Sequence, residues 1–179
     1  MKLLTTIFNV FRSRPKTTIA GGSAAVAVVT SIMLATPLIQ KSEGLRTSAY
    51  LDPVGIPTIC FGETLGVKMG QKKTVDECHE ILKPRLEGFI KDMRACTNID
   101  LPAKTEAAFL SFTYNVGSGL YCKNIARKRI NKGNLEEACK ALSLYVKAGR
   151  PLRTLPGLVT RREEERALCL EGLKEGGLL

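Results

Sequence analysis

A chain of 179 residues has room for one domain and an attached segment. Its formal net charge of +10 favours an anionic partner: nucleic acid, phospholipid or an acidic cell wall. Aromatic residues are only 6% and are not interleaved with basic ones, which argues against single-strand nucleic-acid binding. The six cysteines are Cys60, Cys78, Cys96, Cys122, Cys139 and Cys169, with none in the first 59 residues. No C-x-x-C pair occurs, which argues against a zinc ribbon, and no metal or cofactor site is expected. An even set confined to one portion points to disulfides formed in an oxidising compartment.

Residues 1–16 carry Lys2, Arg12, Arg14 and Lys16 and no acid. Residues 17–40 then run without a charge. As a helix this is about 36 Å, enough for a hydrocarbon core of about 30 Å. The preceding positive charges keep the N-terminus cytoplasmic and send the remainder out, in agreement with the cysteines. The segment is a weak anchor: thirteen of its residues are Gly, Ala, Ser or Thr, and only nine are Val, Ile, Leu or Met. Met33-Leu34-Ala35 fails the small-residue rule at −3 for signal cleavage. A permanent anchor, a helix that later leaves the membrane, and a helix-packing face at Gly21, Gly22 and Ser23 all fit this composition.

Pro37 reads as the start of a short helix to about Thr47. Residues 48–66, with Pro53, Gly55, Pro57, Gly62 and Gly66, predict small antiparallel strands and turns. Thr74-Val-Asp-Glu77 is a capping box opening a helix to about Ala95, with Val75, Cys78, Ile81 and Leu82 on one face and Pro84 inside. The most apolar helix of the soluble part starts at Leu101-Pro102 and stops at Gly117; apolar on more than one face, it should be central. Helices over 122–132 and 134–147 follow, then a loop over 149–155. The last helix, 157–173, carries Arg161, Arg162, Glu163, Glu164, Glu165 and Arg166, read as a solvated face. The order gives an α+β, mainly helical fold.

The chemistry-bearing stretch is 38–62, which holds Glu43, Asp52 and Thr58. Cleaving a glycosidic bond takes a proton donor and, on the opposite face, a group that activates water or replaces it. Glu43, beside apolar Leu45 at a helix end, suits the donor, because partial burial favours a protonated carboxyl. Asp52, at a turn beside Pro53, suits the ionised partner, and Thr58 offers a hydroxyl for a water. A nucleophile reading of Cys60 with His79 as base lacks a third orienting group.

EGLRTSAYLDPVGIPTICFGET, a later FTYNVGSG (112–119) and a terminal GLVTRREEERALC (157–169) stand in one order. Over about 38–173 they resemble the phage-type lysozymes, glycoside hydrolase family 24, of the lambdoid endolysin kind. The resemblance implies a lysozyme-like fold with a small β lobe and a helical lobe, the glycan lying between them. It implies an N-acetylmuramidase that cuts the β-1,4 bond between N-acetylmuramic acid and N-acetylglucosamine with inversion. By it Glu43 is the general acid, Asp52 the second carboxylate and Thr58 the water-positioning residue. Cys60 and Glu63 depart from the Gly and His of many relatives.

The weakly apolar segment joined directly to such a domain resembles signal-anchor-release endolysins, which are tethered after export and then leave the membrane. The division so implied is a basic cytoplasmic N-terminus (1–16), a transmembrane signal-anchor-release segment (17–40) and a lysozyme domain (38–179). Expected partners are peptidoglycan and, before release, the inner membrane; a monomer is expected, in the membrane with N-in, C-out orientation and then in the periplasm. The alternatives are a membrane-anchored wall-binding module and a lytic transglycosylase, which needs the Glu but no water-activating Asp. Six cysteines allow fifteen pairings, and Cys139–Cys169 and Cys96–Cys122 are the candidate pairs.

Overall fold

A computed structural model describes residues 24–179 apart from Pro53, so residues 1–23, including the basic stretch and the first part of the apolar segment, lie outside it. The elements are α1 (Ala24–Glu43), β1 (Arg46–Leu51), β2 (Pro57–Cys60), α2 (Val75–Ala95), α3 (Ala103–Val116), α4 (Ser118–Tyr121), α5 (Ile125–Ile130), α6 (Leu135–Lys140), β3 (Lys147–Ala148), β4 (Arg153–Thr154) and α7 (Pro156–Glu175). A 3-10 turn, Ala141–Leu144, follows α6. The mainly helical α+β class is therefore the observed one.

Helix α3 is the centre, packed against α1, α2 and α7. Every residue from Thr105 to Thr113 is buried, because its apolar residues occupy more than one face. Gly117 at φ +85° closes it, in a region that side-chain-bearing residues avoid. Helix α2 opens on Thr74, whose side chain accepts from Glu77 N while the Glu77 carboxylate accepts from Thr74 N. Both halves of the expected capping box are thus present. Val75, expected on the inner face, is exposed; Cys78 and Leu82 are buried.

Helix α1 differs from the expectation at Pro37. The residue lies inside a single helix, and Pro37 opens nothing. Its missing N–H removes one helix hydrogen bond, which packing on α3 offsets. Ser31, Ala35 and Ile39, four residues apart, are fully buried, whereas Val26, Val29 and Met33 are exposed. Residues 24–40 of the apolar segment therefore belong to the domain in this conformation. No helix among the described residues is long and apolar enough to cross a membrane.

The helices expected at 122–132 and 134–147 are shorter. Asn124 starts a new helix by accepting from Arg127 N, and Gly133 at φ +79° ends it. Past α6 the chain tightens into the 3-10 turn, and the expected loop is the tip of the β3–β4 hairpin. Cys60–Cys78 ties β2 to α2, Cys96–Cys122 ties the end of α2 to the end of α4, and Cys139–Cys169 ties α6 to α7. The two candidate pairings are both found, and the bridge from Cys60 removes it as a nucleophile.

Candidate active site

Glu43 is the last residue of α1, and the chain turns there through Gly44 at φ +71° into β1. Its side chain is about a quarter exposed, 23%. It lines a cleft of about 580 Å³ together with Lys41 and Ser42 of α1, Asn115 of α3, and Leu155, Leu158 and Arg161 at the start of α7. The turn after β2 leans on the same carboxylate: a Cβ on Gly62 would sit 3.7 Å from Glu43 Oε2.

The charge run of α7 is not a solvated face. Arg161, Arg162 and Glu165 are buried, and only the remaining members face water. Arg161 Nη1 donates to Glu43 Oε1 at 2.7 Å, its Nε to Glu165 Oε1 at 3.1 Å and its Nη2 to the Ser111 carbonyl at 3.1 Å. Ser111 Oγ also donates to Glu165 Oε1 at 2.7 Å. Arg162, fully buried, donates to Asn115 Oδ1 at 2.9 Å, pairs with Glu165 and stacks over Phe112 at 4.7 Å from the ring centroid. Burial drives the Arg162 guanidinium down to about 10 and pushes the Glu165 carboxyl up from its ordinary value. A run of like-looking charges hides this split because α7 turns one side to α3 and the other to water. Glu43 is at a helix end and partly buried as expected, but Leu45 beside it is exposed, and the carboxylate faces a cation.

Asp52 and Thr58 lie on the β1–β2 hairpin, where Tyr50 faces Thr58 across an antiparallel pair. Asp52 Oδ1 accepts from Val54 N at 2.9 Å and Ile56 N at 2.8 Å, which closes the hairpin turn. Among the described residues Oδ2 takes no hydrogen bond. Thr58 is buried and its hydroxyl donates to the Ile56 carbonyl at 2.9 Å, so the oxygen it has left to offer is an acceptor. Thr58 stands four residues before Gly62, the glycine whose Cβ position faces the Glu43 carboxylate. Asp52 and Thr58 are not among the residues lining the cleft at Glu43. His79 is exposed on α2 and its Nδ1 contacts Gln40 Nε2 at 2.8 Å.

Residues that local reading missed are Arg161, Asn115 and Tyr114. Tyr114 donates its phenol to the Phe61 carbonyl at 2.8 Å and so braces the turn against Glu43 from the α3 side. Burial, with the Glu43 charge second, raises this phenol to about 12 and keeps it a donor. All three fall within FTYNVGSG and GLVTRREEERALC, so their place in a motif was the available signal.

The phage lysozyme family model matches residues 40–165. Among curated relatives, the SAR-endolysin of Bacteriophage PS119 is 35% identical over 156 residues, 86% of this chain and 90% of that protein. Among solved structures, the muramidase domain of SpmX from Asticaccaulis excentricus superposes with a TM-score of 0.73 at 26% identity, covering 76% of this chain and 94% of that one. The active form of the P1 phage endolysin Lyz gives a TM-score of 0.70 at 26% identity, over 86% and 98%. With most of its length matched, and Glu43 braced by the terminal motif, the chain belongs to the phage lysozyme family.

Proposed function

We propose that this family member is an endolysin that lyses the bacterial host by hydrolysing the β-1,4 bond between N-acetylmuramic acid and N-acetylglucosamine, with inversion. The observation that carries the reading is Glu43 on the wall of the cleft, held by Arg161 from another helix. Glu43 in its protonated form gives its proton to the leaving glycosidic oxygen as the C–O bond breaks. Asp52 takes a proton from water as that water bonds to the anomeric carbon, and Thr58 accepts a hydrogen bond from the water. The cleft needs no cofactor for this chemistry. Glu43→Gln abolishes release of reducing ends from purified murein; undiminished release by that variant removes the assignment. A 1,6-anhydro end in place of a reducing end marks a transglycosylase, and an inverted first product anomer supports the role of Asp52.

The enzyme is held at the inner membrane, N-in and C-out, through residues 17–40 until release, and acts in the periplasm as a monomer. Residues 24–40 cannot both lie in lipid and pack on α3, so the described conformation belongs to the released state. Exposed Val26, Val29 and Met33 on the outer side of α1 suit a segment that also meets lipid. The name of the PS119 relative, a SAR-endolysin, supports the reading of anchoring followed by release. Full-length protein moves from membrane to soluble fraction after a protonophore; a shortened soluble form would show cleavage and overturn release.

A further inference from the structure

Ser31 is the only buried polar side chain on α1 among the described residues. Its Oγ donates to Glu106 Oε2 at 2.6 Å, across 75 residues of sequence. Glu106, on α3 and 5% exposed, is itself fixed by a two-pronged Arg94, with Nε at 2.6 Å from Oε1 and Nη2 at 2.7 Å from Oε2. A carboxylate so committed cannot swing to follow a moving partner. The other fully buried positions on the same face, Ala35 and Ile39, make only apolar contacts, which have no preferred direction. The hydrogen bond does have one.

We propose that Ser31 and Glu106 are positioning residues that set the register of α1 on α3 and thereby aim Glu43 at the cleft. This rests on the reading of Glu43 as the acid. A slip of one residue rotates a helix by about 100°, which turns Glu43 away from Arg161 and places Thr30 or Ile32 over Glu106. Placing Ile32 there sets an apolar side chain against the buried carboxylate and leaves Glu106 Oε2 with Arg94 Nη2 as its single donor, a cost the native register avoids. From Ser31 to Glu43 the helix carries the register over about 18 Å. Pro37 lies between them, but the last turn is held again beyond it, by buried Ile39 and by Gln40 Nε2 at 2.8 Å from His79 Nδ1. A single buried polar contact that fixes the register of an otherwise apolar helix is a known use of such groups.

The test is steady-state kinetics on purified murein with full-length protein recovered from the soluble fraction after depolarisation, expressed per folded molecule by circular dichroism. Ser31→Ala lowers kcat by about tenfold while KM stays within about twofold. Glu106→Leu does the same, and the double variant falls no further in kcat, because the Ser31–Glu106 contact is already gone and the Arg94 pair that Glu106→Leu also breaks joins α2 to α3, not α1. Glu106→Gln, which keeps an acceptor for the Ser31 hydroxyl, restores most of kcat. Ser31→Ala carries the test alone if Glu106→Leu does not fold. A merely structural contact would lower Tm and leave kcat per folded molecule unchanged; that result, or additive losses in the double variant, overturns the proposal. Glu43→Gln runs alongside: full activity there removes the acid assignment, whereas an inactive Glu43→Gln with an unaltered Ser31→Ala removes only the positioning role.

Discussion

Arg161 Nη1 lies 2.7 Å from Glu43 Oε1, joining residues 118 positions apart, and the guanidinium that makes this contact is only 5% exposed. Its other nitrogens are held by Glu165 and by the Ser111 carbonyl, so its position is fixed before any substrate arrives. Replacing Arg161 with Gln leaves Glu165, fully buried, short of a cation. Breaking a buried pair from one side costs about 3–5 kcal/mol. Arg161→Gln should therefore show a lowered urea midpoint together with reduced turnover on murein. Arg161→Lys, which keeps the charge but loses the fork, should fall between the two. Wild-type stability in Arg161→Gln would mean that the pair is dispensable.

Asp52 separates charge from structure. One oxygen closes the hairpin through Val54 N and Ile56 N. Asp52→Asn keeps an acceptor at that place and removes the charge; Asp52→Ala removes both. Loss of muramidase activity is expected in each, but only the alanine variant should lose stability, by about 1–2 kcal/mol. Thermal unfolding of the two proteins beside their activity checks this, and a fully active Asp52→Asn would end the water-activating role.

These two residues also show where sequence reading reaches and where it stops. The capping box at Thr74, the stop at Gly117 and the turn-rich hairpin carrying Asp52 are local signals, written within a few neighbouring residues, and each is found where it was expected. The burial of Arg161, Arg162 and Glu165 depends on which side of α7 meets α3, and that partner lies about fifty residues away in sequence. The continuity of α1 through Pro37 depends on the same long-range packing, because an interior proline is tolerated only where burial compensates. Disulfide partners are long-range as well, and spacing alone did not single them out.

Tyr114 gives a pH signature. Burial raises its phenol from 10.0 to about 12, and burial does the same to Tyr121. The folded protein keeps these protons to higher pH than the unfolded chain, which loses them near 10. Their contribution is complete below pH 10 and is lost as pH rises through 12. Tyr114→Phe should cost about 1 kcal/mol at neutral pH through the missing bond to Phe61 O. Its stability should also decline less steeply than wild type between pH 10 and 12. Urea titrations at pH 8, 10 and 11 compare the two; parallel declines would contradict burial as the cause.

Cys139 and Cys169 are fully buried and join α6 to α7, across a separation of 30 residues. Closing a loop of that size in the unfolded chain is worth about 3–4 kcal/mol in the chain-entropy description. The Cys139→Ser, Cys169→Ser double variant should lose stability of that order, since α7 carries Arg161. Activity per folded molecule well below the transition should survive, because neither sulfur touches the cleft. A drop in activity without a drop in Tm would place the bridge in the site itself.

Gly172 and Gly88 make opposite forecasts from the same substitution. Both lie inside long helices, α7 and α2. A Cβ on Gly172 would meet Thr105 N at 2.5 Å and Thr105 Oγ1 at 2.6 Å, at the point where Thr105 Oγ1 donates to the Cys169 carbonyl at 3.0 Å. Backbone stands in the way, so α7 and α3 must separate, at a cost near the upper end of about 1–3 kcal/mol. Around Gly88 there is nothing within 4 Å. Alanine there gains helix propensity of about 0.5–1 kcal/mol with no clash. Thermal melts of Gly172→Ala and Gly88→Ala should move in opposite directions. Because α7 also presents Arg161 to Glu43, Gly172→Ala should lose turnover as well, while Gly88→Ala keeps it; a stable, fully active Gly172→Ala would show that the two helices do not need this close approach.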